Sequence, residues 1–263
     1  MMAEPRIALV CPTYGQFDYA MRTIESFARH TEDPLTIVVD DASPDWGDPD
    51  WQEFLGADAL PIVVHRFPEN GGLTRSWNWG IHRAIMQGAD YVIAGNSDIL
   101  FCEGWQHGLI HALESGYALA GPLSNAPGRT ATVKAHVANY VPGYRLTDDP
   151  AYLDSLSRTL QARYQGLVVE ARVNGFFQMA RAEVWLAGRF DEAHVYRPRN
   201  DLQPNGMPNP DPLMTSNEDE LQNRWARLGW RFAVCPSSFI FHYRAVSRGT
   251  NYLHGSWMRR TDG

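Results

Sequence analysis

Residues 7–45 read IALVCPTYGQFDYAMRTIESFARHTEDPLTIVVDDASPD, and their pattern decides the fold. Ile7 to Cys11 is a continuous apolar run of strand length. Asp18 to His30 carries Tyr19, Ala20, Ile24, Phe27 and Ala28 at helical spacing. Leu35 to Val39 is again apolar and β-branched, and it stops in the turn-forming series Asp40-Asp41-Ala42-Ser43-Pro44-Asp45. Two wholly apolar strands joined by a helix belong to a parallel sheet that is covered on both faces. The rhythm continues outward from this unit. Ile62 to Val64 and Tyr91 to Ala94 read as strands, Leu73 to Met86 and Trp105 to Leu113 as helices, and Tyr117 to Ala120 closes the series. The expectation is an α/β fold with a mostly parallel central sheet flanked by helices.

The second half has a different texture. Residues 122–150 are mixed and punctuated by Pro, Gly and Asn. Ala151 to Gln165 reads as a helix, Val173 to Ala180 as a strand, and a helix begins near Arg181. Arg197 to Asn217 is rich in Pro and Asn without a periodic pattern, a composition that suits a functional loop. A helix over Glu218 to Leu228 follows, then strands over Arg231 to Val234 and Phe239 to His242. The tail from Arg244 carries Arg244, Arg248, Arg259 and Arg260. Most of the tryptophans fall within predicted helices, where core packing is their expected role.

Composition excludes several classes. The 263 residues carry 23 Lys plus Arg against 30 Asp plus Glu, a net charge of -7, which disfavours a general nucleic-acid coat. No apolar run approaches the roughly 18 residues of a spanning helix. The start, MMAEPRIALV, lacks a basic leader and a long apolar stretch, so no signal peptide is expected. Cys11, Cys102 and Cys235 have no zinc-site spacing and read as three reduced thiols of a soluble, cytoplasmic chain.

In an open parallel sheet, ligands bind at the carboxyl ends of the strands. Four polar groups follow predicted strands: Pro12-Thr13-Tyr14, Asp40-Asp41, Gly95-Asn96-Ser97-Asp98, and His242. Asp40 and Asp41 serve equally as turn formers or helix caps on residue type alone. Ile99, Leu100 and Phe101 follow Asp98 directly, so no helix starts there, and Asp98 with Asn96 suits a hard divalent cation beside phosphates. Glu69 to Gly80 places two glycines before a helix whose N-terminus would receive an anion, with Arg75 adding a charge. Asn217-Glu218-Asp219-Glu220 opens a helix. Acids there complement the helix dipole, and one set against a pocket would also take a proton from a hydroxyl. Other chemistries lack their signatures. There is no phosphate-binding Gly-Lys-Ser/Thr ending, no dinucleotide fingerprint after the first strand, and no Gly-x-Ser-x-Gly elbow. His107 and His111 lack the central Glu of a metalloprotease helix.

Taken in order, these segments resemble the family 2 inverting glycosyltransferases. IALVCPTY at 7–14 and VVDDAS at 38–43 are similar to the family's first two strand ends. Asn70, Gly72, Asn78 and Gly80 are similar to its spaced Asn/Gly pattern, and Gly95 to Asp98 stands where the family has Asp-x-Asp. VNGFFQMAR at 173–181, with Phe190-Asp191-Glu192, resembles its acceptor-side segment, and Glu218-Asp219 its Glu-Asp pair. The resemblance implies a GT-A fold, a Rossmann-like sheet with an acceptor-side extension. Residues 1–121 would form the donor half, 122–248 the acceptor and catalytic half of the same domain, and 249–263 a tail.

The resemblance also implies roles. Asp40, Thr13 and Tyr14 would hold the nucleoside of a nucleoside-diphosphate sugar, a UDP-sugar before a GDP- or dTDP-sugar. Asn96, Ser97, Arg75, Arg244 and Arg248 would line the rest of the donor site. Asp98 and His242 would bind a divalent cation, Mn2+ or Mg2+. Asn174, Gly175 and Glu218 would meet the acceptor, and Asp219 would be the general base. Asn96 departs from the family's usual Asp. That motivates one alternative, a catalytically inactive nucleotide-sugar or carbohydrate-binding domain on the same fold. The acceptor would be a glycan, a lipid-linked sugar or another hydroxyl, with a nucleic acid still open.

Overall fold

A computed structural model of the chain describes residues 5–57, 60–127, 132–193 and 216–243. Strand β1 (Ile7–Thr13) is buried along its whole length. Its side chains alternate between two cores, as the strand period requires: Ile7, Leu9 and Cys11 join one, Ala8 and Val10 the other. Helix α1 (Phe17–Arg29) buries Ala20, Ile24 and Phe27 against the first core, and its Asp18 and Arg29 complement the helix dipole. Strand β2 (Pro34–Asp40) then lies parallel to β1, with Thr13 opposite Asp40.

Helix α2 (Pro49–Gly56), absent from the sequence reading, starts where the Asp48 side chain accepts the Trp51 N–H. Pro49 sits at its first turn, where no amide donor is needed. Strand β3 (Ile62–Arg66), helix α3 (Leu73–Met86) and strand β4 (Tyr91–Gly95) follow as expected. Strand β5 (Ile99–Phe101), helix α4 (His107–Glu114) and strand β6 (Leu119–Leu123) come next. Further on are helix α5 (Thr132–Ala135), helix α6 (Pro150–Tyr164), strand β7 (Val169–Glu170), strand β8 (Phe177–Arg181) and helix α7 (Ala182–Ala187). Helix α8 (Asn217–Arg227) and strand β9 (Phe232–His242) end the described chain.

The sheet runs β3-β2-β1-β4-β8-β6-β9-β5, with β7 also paired to β9. It is mostly parallel, as expected, with three reversed strands: β3, β2, β1, β4, β6 and β9 run one way and β5, β7 and β8 the other. β8 is inserted between β4 and β6, so sequence neighbours in the first 120 residues are not all sheet neighbours. Val173 to Phe176, expected as strand, is the loop leading into β8. The two strands expected near the end are one strand, β9. Its register against β6 shifts between Cys235 and Phe239, around Pro236, which has no N–H for the ladder.

Helices cover both faces. Trp105 and Leu109 pack with α1 on one side; Trp77, Trp185 and Trp225 fill the other, so these tryptophans are core. Cys11, Cys102 and Cys235 are buried free thiols, and burial pushes Cys11 and Cys235 each up to about 12. Among the described residues no helix is long and apolar enough to cross a membrane.

Candidate functional site at the carboxyl edge of the sheet

Parallel register brings the ends of β1, β2 and β4 to one edge, with Thr13 opposite Asp40 and Val10 opposite Ala94. At the β1–β2 end, Asp40 is fully buried and densely bonded. Its carboxylate accepts the Thr13 hydroxyl at 3.3 Å, the Ser43 N–H at 3.1 Å and hydroxyl, and the Arg66 Nε at 3.1 Å. The Arg66 guanidinium lies 5.3 Å over the Trp46 ring. Of Thr13, Tyr14 and Asp40, Tyr14 is the one that faces solvent, at 52% exposed.

Asp41 turns away from Asp40 and into the head of α3. Its carboxylate accepts the amides of Gly71 and Gly72 at 2.9 and 2.7 Å and the Arg75 guanidinium at 2.7 Å. The anion expected at this helix N-terminus is therefore one of the chain's own side chains. Gly72 takes φ 88, a left-handed value that glycine adopts without strain. Arg75, expected at the donor, is committed to Asp41 and lies 3.9 Å over the Phe67 ring. That arrangement gives it a structural partner and lends no support to a donor role. Asn78 is likewise a clamp: its side chain bonds the Phe190 carbonyl and N–H at 3.0 and 3.1 Å.

Asn96, Ser97 and Asp98 form the turn from β4 to β5, and the pairing of Ile99 with His242 sets β9 beside it. Asp98 and His242 are both buried, with His242 Nε2 3.4 Å from Asp98 Oδ1 and 3.5 Å from Asn96 Nδ2. His242 is held on all sides. Its backbone N–H and carbonyl bond the Asn125 side chain at 2.8 and 2.9 Å, and its ring stacks on Phe176. Nδ1 lies 3.0 Å from the Ala126 carbonyl. A carbonyl only accepts, so Nδ1 is a donor here, and Nε2 is the ring nitrogen that faces Asp98. A carboxylate oxygen and an imidazole nitrogen side by side, with the far ring nitrogen anchored on a backbone carbonyl, fit a divalent cation. Among the described residues no group of three or more His, Cys, Asp or Glu side chains gathers, so such an ion would take its remaining ligands elsewhere.

The acceptor-side residues come from the loop before β8 and the head of α8. Asn174 folds its side chain onto the Phe176 N–H at 3.1 Å. Gly175 lies under the Glu218 carboxylate, where a Cβ would be 2.5 Å from the Glu218 Cδ. Burial pushes the Glu218 carboxyl up from its ordinary value. Ser216 caps α8 by accepting the Asp219 N–H, and its hydroxyl donates to Asp219 Oδ2 at 3.0 Å. Asp219 Oδ1 faces Arg172 at 3.5 Å. Arg244, Arg248 and most of the loop 197–217 lie outside the described residues.

The sequence profile of the glycosyl transferase family 2 matches residues 8–181. The chain belongs to that family. The match takes in the edge built by β1, β2 and β4 and the Asn96–Asp98 turn; Glu218, Asp219 and His242 lie beyond it. Solved structures share the fold, which is GT-A. GalNAc-T7 with UDP, GalNAc and Mn2+ superposes with a TM-score of 0.61 at 13% identity, over 90% of this chain and 43% of that one. The mannosyltransferase PcManGT from Pyrobaculum calidifontis, in complex with GDP-Man and Mn2+, gives 0.57 at 13%, over 92% and 57%. S. aureus TarS 1-349 gives 0.54 at 14%, over 91% and 60%. The family 2 chain thus spans about half the length of these proteins. No curated protein sequence matches it.

Proposed function

We propose that this chain is a metal-dependent inverting glycosyltransferase that moves a sugar from a nucleoside-diphosphate sugar, a UDP-sugar first among the candidates, to an acceptor hydroxyl. The observation that carries the reading is the buried Asp98–His242 pair at the sheet edge that also carries the Asp40 cluster. The neighbours solved with UDP or GDP-Man and Mn2+ support the donor class. Residues 1–121 supply the donor side and 122–248 the acceptor side.

Tyr14 meets the nucleoside, with the buried Asp40 and Thr13 shaping the site beneath it. Asp98 and His242, with Asn96 beside them, would hold the divalent cation, which offsets the charge of the departing diphosphate. A carboxylate in the first turn of α8 receives the proton of the attacking hydroxyl. One displacement from the face opposite the leaving group inverts the anomeric centre. The buried thiols support a reducing, cytoplasmic setting. The test is release of nucleoside diphosphate from UDP-N-acetylglucosamine, UDP-glucose and GDP-mannose, with and without Mn2+. Metal-dependent release from one donor supports the reading; no release from any, with glycan acceptors added, counts against it.

A further inference from the structure

Taken in chain order, three contacts fix how α8 meets the loop before β8, and a fourth ties that loop to the Asn96–His242 end of the edge. Arg172 reaches Asp219 at 3.5 Å and also Asn223. The Gln222 side chain bonds both the N–H and the carbonyl of Val173 at 2.8 Å. Gly175 lies under the Glu218 carboxylate. Phe176 stacks on His242 with ring centroids 4.6 Å apart, and its carbonyl accepts the Asn96 N–H at 2.9 Å. Of the two carboxylates, Glu218 meets the loop at Gly175, next to the residue that touches Asn96 and His242, whereas Asp219 meets it at Arg172. Asp219 is at the far end of the run, with one oxygen on Arg172 and the other on Ser216.

We propose that Glu218, rather than Asp219, receives the proton of the acceptor hydroxyl, and that Asp219 is a positioning residue that fixes the head of α8 through Arg172 and Ser216. This rests on the transferase reading. In the step, the hydroxyl oxygen bonds to the anomeric carbon and the bond from that carbon to the diphosphate oxygen breaks. The electron pair of that bond leaves on the diphosphate, and the hydroxyl proton passes to a Glu218 Oε.

Burial raises the Glu218 carboxyl, and the Asp219 charge adds to the rise; Ser216 and the Glu218 backbone amide oppose it. A base held above the usual carboxylate range is better matched to a hydroxyl proton. The segment 174–176 brings no charged group to Glu218, and Arg172 bonds Asp219 and Asn223. Gly175 is what admits the carboxylate, since any side chain there would collide with it.

The test compares the wild type with Glu218→Gln and Asp219→Asn. The first measurement is a 13C NMR titration of protein labelled at the glutamate carboxyl, which needs neither donor nor acceptor. One resonance should titrate above the free-glutamate range and vanish in Glu218→Gln. The second is diphosphate release from UDP-N-acetylglucosamine, UDP-glucose and GDP-mannose with Mn2+ and water as acceptor. Glu218→Gln should lower kcat at least about 100-fold with donor KM within about twofold, while Asp219→Asn loses less than about tenfold and keeps the wild-type pH profile. A titration with no raised resonance overturns the proposal. So does wild-type kcat in Glu218→Gln with loss confined to Asp219→Asn, an outcome that leaves the transferase reading intact. A wild type that binds none of these nucleotides and releases no diphosphate overturns that reading, and the proposal with it.

Discussion

His242 Nε2, at the end of β9, stands 3.4 Å from Oδ1 of Asp98, which lies in the turn leading into the antiparallel partner β5, and the opposite ring nitrogen is anchored on the Ala126 carbonyl. Asn125 sets this geometry by bonding both backbone groups of His242. Asn125→Ala leaves two buried backbone groups without partners and should cost about 1–3 kcal/mol of stability, read by urea unfolding. It should also weaken Mn2+ binding by about tenfold, read by calorimetry in the presence of UDP.

Asp41 acts on the fold rather than on a ligand. It holds Gly71, Gly72 and Arg75 together at the head of α3. Asp41→Ala strips a mostly buried ion pair of its anion and should destabilise the chain by roughly 3 kcal/mol, again by urea unfolding. A variant as stable as the wild type would show that water replaces the carboxylate at no cost.

Gly175→Ala builds a methyl group into the Glu218 carboxylate. The far end of Glu218 shifts while the fold remains, so turnover should drop by about 10- to 100-fold with little change in thermal midpoint. Steady-state kinetics beside a melting curve separate the two effects.

Glu218 also links stability to pH. Its folded carboxyl sits above the ordinary value of 4.5, so the native state holds this proton more tightly than the unfolded chain. The sign follows: Glu218's contribution is complete below the unfolded value and is lost as pH rises through the folded one. Glu218→Gln should therefore be more stable than the wild type at pH 7, and the difference should close on acidification toward the ordinary glutamate value. Denaturant titrations at several pH values check this.

The strand ends were legible because a parallel sheet places them at one edge whatever lies between. Thr13, Asp40, Asp98 and His242 each lie within four residues of the end of an apolar run, and that is enough to name them. What the sequence hid are partners set by tertiary pairing. Arg66 meets Asp40 across 26 residues, Arg172 meets Asp219 across 47, and Asn125 meets His242 across 117. No periodicity carries such pairings, because they depend on which elements meet: β2 with β3 for Arg66, β6 with β9 for Asn125, and the loop before β8 with α8 for Arg172. Arg75 had its partner hidden for a related reason. Its loop has the composition of an anion site, and only the fold reveals that Asp41 is the anion. Helix α2 did carry a signal in Asp48-Pro49, a cap followed by a first-turn proline.

The most direct measurement is calorimetric titration of UDP and GDP into the wild type and Asp98→Ala, each with and without Mn2+. Binding of one nucleotide that strengthens with Mn2+ in the wild type, and loses that gain in Asp98→Ala, is the predicted result. Nucleotide binding that ignores both Mn2+ and the substitution, or no binding at all, would contradict the account.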